Sequence, residues 1–203
     1  MKSEKNPAKL IRSRTAAREA VLSVLYEIEV GHTAPKKALE DILSRETYAS
    51  EAEAFIRLLI NGVEKHLEML DQKIAQFLAP GWTYDRLSVI DRNALRIASF
   101  ELFFLEKIPP KSSINEAVTL SKKFGSVENS RFVNGVLGRL LEASPKARWN
   151  PALAEEEEQV QEKITGEPEE TLTIQEGSEE HQEFQKIEKW ALKSDPKDHE
   201  SAL

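Results

Sequence analysis

Arg14 and Arg18 stand four residues apart at the start of an apolar 3.6-residue pattern, so they share one side of a helix. Lys122 and Lys123 close a second such pattern. Arg131 and Phe132 follow just beyond Gly125, with Glu128 between. Cations beside an aromatic ring around a tight turn suit single-stranded RNA, because phosphates take the charge and an unstacked base takes the ring. The bland alternative is concrete. Lysines near a helix C-terminus complement its dipole, and Phe132 fits a core position equally well. The residues alone leave both readings open.

Other chemistry finds no constellation. The sequence contains no Gly-rich phosphate loop, no Gly-x-Ser-x-Gly and no His-Glu-x-x-His. His32, His66, His181 and His199 are scattered, without an acidic or histidine partner at ligand spacing, so neither a metal site nor a cofactor is expected. Asp85 and Asp91 fall near a helix start, where the dipole favours acids, and do not read as a catalytic dyad. With no cysteine in the chain, disulfides, thiolate metal sites and a cysteine nucleophile are excluded. No apolar run approaches the ~20 residues that span a bilayer, and the basic N-terminus has no apolar stretch behind it. A soluble, cytoplasmic protein is expected, with no membrane partner.

The net charge of −7 averages two unlike regions. Residues 1–148 carry 23 Lys and Arg against 19 Asp and Glu, whereas residues 149–203 carry 5 against 16. Lys2, Lys5, Lys9, Arg12, Arg14 and Arg18 oppose Glu4 alone at the N-terminus, a candidate polyanion contact.

The elements that must position these residues are helices. Ala17, Ala20, Val21, Val24, Leu25 and Ile28 form one stripe, which Gly31 ends. Thr33 reads as the cap of a second helix with Pro35 in its first turn and Leu39, Ile42 and Leu43 inward. Ser50 with Glu53 reads as a capping box opening a long segment through Leu59, Val63, Leu70 and Ile74 to Pro80-Gly81. Its length predicts two helices, with Asn61-Gly62 favouring a bend and the junction near residues 62–67. A helix over about 86–106 is apolar nearly all round, which predicts a central position. Ser113 with Glu116 reads as another capping box, with Gly125 as a left-handed stop. A last helix starts near Ser126 or Val127. No segment alternates as a strand does. The reading is an all-α, seven-helix bundle over residues 12–145, preceded by a basic flexible arm over 1–11. Residues 146–203 read as a largely disordered acidic tail, because they hold too little apolar surface to offset ordering. A short helix near 180–192 is expected within it.

Several segments together resemble the NusB family of bacterial transcription antitermination proteins. These are Arg14-Thr-Ala-Ala-Arg18 running on to Leu25-Tyr26, Asp91-Arg92-Asn-Ala-Leu-Arg96-Ile-Ala, Ile114-Asn115-Glu116-Ala117-Val118, Lys123-Phe124-Gly125, and Arg131-Phe132-Val133-Asn134-Gly135-Val136-Leu137. The resemblance covers roughly residues 12–143, and the acidic tail lies outside the family pattern. It implies a seven-helix fold without catalysis. It also implies binding of boxA-type single-stranded RNA of rRNA leader transcripts together with the small-subunit ribosomal protein NusE, in a complex with other Nus factors on RNA polymerase. By the same resemblance, Arg14 and Arg18 lie on the RNA face with Arg12 as a neighbour, and Phe132 stacks a base. Glu116, Glu128 and Arg131 lie near that groove, and Tyr26 and Asp91 face the ribosomal partner; Lys122 and Lys123 join the RNA-binding residues on their charge and position alone. Two other classes stand beside this one. A protein-only helical scaffold would have lost RNA binding. The NusB-like domain of an rRNA cytosine methyltransferase would need a further domain and a catalytic cysteine.

Overall fold

A computed structural model describes residues 10–150. Among these, seven α-helices carry the fold: α1 Arg14–Gly31, α2 Pro35–Arg45, α3 Ser50–Lys65, α4 Leu67–Gln76, α5 Val89–Phe104, α6 Pro110–Phe124 and α7 Val127–Glu142. Short 3-10 turns at Tyr84–Arg86 and Pro145–Arg148 complete it. No strand occurs among the described residues, in accord with the all-α reading. The segment expected to form a helix near 180–192 lies outside them.

Helix α5 is the axis, as its all-round apolarity predicted. Every residue from Asn93 to Phe104 is buried, and α1, α3, α4, α6 and α7 all pack on it. The long apolar segment breaks at His66, which lies in the turn between α3 and α4, and α3 runs unbroken through Gly62. Gly62 serves packing instead, since a Cβ there would lie 2.0 Å from the Phe100 ring. The buried His66 ring stacks on Phe104 at 4.2 Å.

Local signals failed where tertiary contacts set the helix ends. Helix α3 starts at Ser50 itself, with Ala49 at the cap and no side-chain bond, so the expected box does not form. Helix α6 starts at Pro110, which puts Ser113 inside its first turns and frees Glu116 for another helix. Ala34, not Thr33, precedes α2. Gly125 has φ −117° and ψ −115°, so it is no left-handed stop. A Cβ there would approach the Ser121 carbonyl oxygen to 2.7 Å, which leaves room for hydrogen alone. A left-handed residue instead ends α1: His32, at φ 49°, after Gly31.

Both expected borders fall inside packed structure. Ile11 donates to the Thr47 carbonyl and accepts from the Ala49 amide, each at 2.8 Å, so it is fastened to the linker between α2 and α3. Lys146 is buried, and its ammonium donates to the carbonyls of Leu105 and Ile108 just past the end of α5. Cations are favoured there because helix-end carbonyls carry partial negative charge.

Candidate nucleic-acid interface

Ser13 caps α1 by accepting the Ala16 amide at 3.4 Å. Arg14 then emerges exposed, and its guanidinium lies 5.4 Å from the centre of the Phe55 ring. Arg18, one turn on, shares that ring at 5.1 Å but turns inward and is only 4% exposed. Its Nε and Nη2 donate to the two carboxylate oxygens of Glu101, at 2.7 and 3.1 Å. Glu101 is fully buried on α5. A buried guanidinium needs such a fork, because an unpaired charge in a dry interior is far costlier than one in water. Of the two arginines expected on the RNA face, only Arg14 is offered to solvent. Arg18 holds α1 to α5 beneath it.

Glu116 bridges α6 to α1. Its Oε1 accepts from the Thr15 hydroxyl at 2.9 Å, and its Oε2 lies 3.9 Å from Arg18. Further along the same two helices, Lys123 pairs with Glu19 at 2.5 Å and covers Phe124 at 5.2 Å. Lys122 beside it is exposed, and so is Arg12 ahead of α1. The Glu51 carboxyl, held low first by a backbone amide and the Ser50 hydroxyl, also feels the Arg12 charge. Thr15 and Glu19 thus join α1 to Glu116 and Lys123 of α6, while Arg12 and Arg14 lie toward Glu51 and Phe55 of α3.

Helix α7 begins where α6 ends, with Ser126 accepting the Asn129 amide at 3.1 Å. Glu128 and Arg131 are exposed on its first two turns. Phe132 is half-buried, and its ring meets that of Trp82 at 4.8 Å with a 32° tilt. Trp82, 50% exposed, comes from the linker after Pro80-Gly81. The aromatic at this end of the bundle is thus a pair. Trp82 escaped the sequence reading because it sits in no apolar stripe. The available signal was a lone tryptophan between helix breakers.

The two residues expected to face a protein partner part company. Tyr26 is 41% exposed on α1, with the exposed Val30 one turn on. Asp91 is 3% exposed. It accepts from Ser88 at 2.5 Å, Ser121 at 2.6 Å and Asn129 at 2.6 Å, joining the ends of α5, α6 and α7. Its lone pairs are used within the fold, so it is a tie between helices and not a surface group.

A second polar network was not foreseen. Arg96 donates to Asp71 through two 2.7 Å bonds, to Glu29 at 2.8 Å and to Asn93 at 2.9 Å. Arg92 also binds Glu29, and the Tyr84 hydroxyl donates to Asp71. Burial, then the bond to Asp71, pushes the Tyr84 hydroxyl well above its ordinary range. Burial works against the Arg96 charge, but Asp71 and Glu29 outweigh it and hold the proton more tightly. At the other end of α5, burial pushes Lys146 down to about 8 against the opposing charges of Glu101 and Glu106.

Among the described residues no three or more His, Asp or Glu side chains gather as a metal site. None of the described helices is long and apolar enough to cross a membrane.

A model of the NusB family matches residues 15–142. The transcription antitermination protein NusB of Dehalococcoides mccartyi strain CBDB1 is 45% identical over 132 residues, covering 64% of this chain and 91% of that protein. Its counterpart from Halalkalibacterium halodurans is 39% identical over 131 residues, covering 64% and 95%. Among solved structures, T. maritima NusB superposes with a TM-score of 0.62 at 34% identity, covering 71% of this chain and 97% of that one. A crystal structure of antitermination factors NusB and NusE with double-stranded RNA gives 0.59 at 29% identity, covering 64% and 96%.

Proposed function

Because this chain belongs to the NusB family, we propose that it is an RNA-binding transcription antitermination factor that acts without catalysis. It takes boxA-type RNA and the small-subunit ribosomal protein NusE as partners, and reaches RNA polymerase through that assembly. The observation that carries this is the set of cations left exposed at the start of α1, the end of α6 and the start of α7: Arg12, Arg14, Lys122, Lys123 and Arg131. The solved relative bound to NusE and RNA supports both partners.

In this reading Arg14 and Arg131 bind phosphates and Phe132 stacks a base, with Arg12, Lys122 and Lys123 adding charge. Glu128 stands at the rim, where a carboxylate accepts from a base amino group. Glu116 orients α1 through Thr15. Arg18 acts from beneath, holding the helix that presents Arg14. Tyr26 and Val30 are assigned to the protein partner.

The test is affinity for a boxA-type oligoribonucleotide, with and without the ribosomal protein, at two salt concentrations. Binding that tightens with the protein and weakens with salt is expected, because phosphate contacts release counterions. Binding of the ribosomal protein with no RNA uptake under either condition would make the chain a protein-only scaffold.

A further inference from the structure

The Trp82–Phe132 pair asks more of the surface than a single stacking phenylalanine does. A tryptophan half open to water leaves much apolar ring area unburied, and apolar area removed from water is worth about 25 cal/mol per Å². Here the exposed ring rests on a second, half-buried ring at 4.8 Å. The exposed guanidinium-bearing Arg131 directly precedes Phe132 on the same turn of α7. Two rings in contact, with an exposed cation one residue away along α7, suit an unpaired nucleobase and its phosphate. A purely apolar protein ligand would have no use for the cation, and a phosphate alone none for the rings.

The linker supports a presenting role. Gly81 has φ +86°, a conformation open to glycine and strained for other residues. Next to Pro80 it turns the chain sharply out of α4, and the Trp82 amide donates back to the Ala79 carbonyl at 3.0 Å. The turn fixes the backbone at Trp82 and Phe132 supports its indole, so less freedom remains to be lost on binding.

We propose that Trp82 is a nucleobase-stacking residue, forming with Phe132 a two-ring platform for an unpaired base of single-stranded RNA. The proposal rests on the RNA-binding function and names the subsite next to Phe132. The base approaches the open face of the indole, its phosphate lies toward Arg131, and Phe132 backs the indole.

The indole is its own probe. In the full-length chain carrying Trp149→Phe and Trp190→Phe, Trp82 is the sole tryptophan. Titration with a short single-stranded boxA-type oligoribonucleotide should quench its emission with the affinity found by a label on the RNA. A duplex of the same sequence should quench less. Trp82→Ala should lose about tenfold in affinity, which is ~1.4 kcal/mol and within the range of base–aromatic stacks. The slope of log affinity against log salt should stay unchanged, because no phosphate contact is lost. Trp82→Phe should retain most of the affinity, which guards against an alanine variant that merely loosens the linker. RNA binding with silent Trp82 emission and unchanged Trp82→Ala affinity overturns the platform and leaves the RNA-binding function standing. Quenching by the ribosomal protein but not by RNA makes the pair a protein-docking surface and also overturns it. If wild-type chain binds no RNA, both readings fall.

Discussion

Arginine and glutamate build two regions of this molecule and behave differently in each. Inside, Arg18 meets Glu101, and Arg96 meets Asp71 and Glu29, with donors matched to acceptors. On the outer side of α1, α6 and α7, Arg12, Arg14, Glu128 and Arg131 face solvent. The residue types are shared, and Arg14 and Arg18 even share a helix and an aromatic neighbour. What separates them is whether a partner helix brings a carboxylate to the guanidinium. Charge is a binding resource only where the fold has left it unspent, and a count of basic residues cannot reveal that.

The comparison breaks most directly at Glu101. Glu101→Gln leaves the buried Arg18 charge only the more distant Glu116 carboxylate, and removing one partner of a buried pair costs about 3–5 kcal/mol. Denaturant unfolding should register that loss, and RNA affinity per folded molecule should fall less than it does on removing Arg14. Unchanged stability would mean that Arg18 is not held inside.

The opposite signature is expected on the outer face. Arg14→Ala with Arg131→Ala should leave unfolding unchanged and weaken RNA binding. Each phosphate contact on a single strand contributes roughly 0.7 to the slope of log affinity against log salt, so losing two flattens it by about 1.4. An unaltered slope would remove both residues from the RNA contact.

The smallest effect separates the regions by pH. Lys146 titrates near 8 in the folded chain, below its ordinary value of 10.5. Above both values the group is neutral in either state. As pH falls from 10.5 the unfolded chain takes the proton first, so stability drops until about pH 8 and is flat below. Lys146→Met has no such titration. The stability difference, wild type minus variant, should therefore rise from pH 8 to 10.5, read by denaturant titration at each pH. A difference that is level across that window would show that burial does not depress this ammonium.

Much of the fold was legible because helices announce themselves twice, in the spacing of apolar residues and in the breakers between. The centrality of α5 followed from Val89, Leu95, Phe100, Phe103 and Phe104 lying off its main stripe. On the outer face, Arg14, Lys122 and Arg131 are exposed and Phe132 is half-buried. Arg18 was misread because the carboxylate that claims it lies 83 residues away, and helical spacing says nothing about what a neighbouring helix presents. Asp91 was misread for the same reason, its partners coming from α6 and α7. Ser50 and Ser113 looked like caps, but Ser50 is already the first residue of α3, and α6 begins three residues before Ser113, at Pro110. Trp82 was invisible to periodicity, having no helix to belong to.

The tie at Asp91 also bears on how the domain opens. One carboxylate receives the hydroxyl at the start of α5, the hydroxyl near the end of α6 and the amide side chain at the start of α7. None of these helix ends can fray alone without stripping a bond from that shared acceptor. Amide protons in the last turn of α6 and the first turns of α5 and α7 should exchange with solvent through one concerted opening, a single cooperative unit spanning nearly forty residues of chain, where three separate loosenings would otherwise be expected.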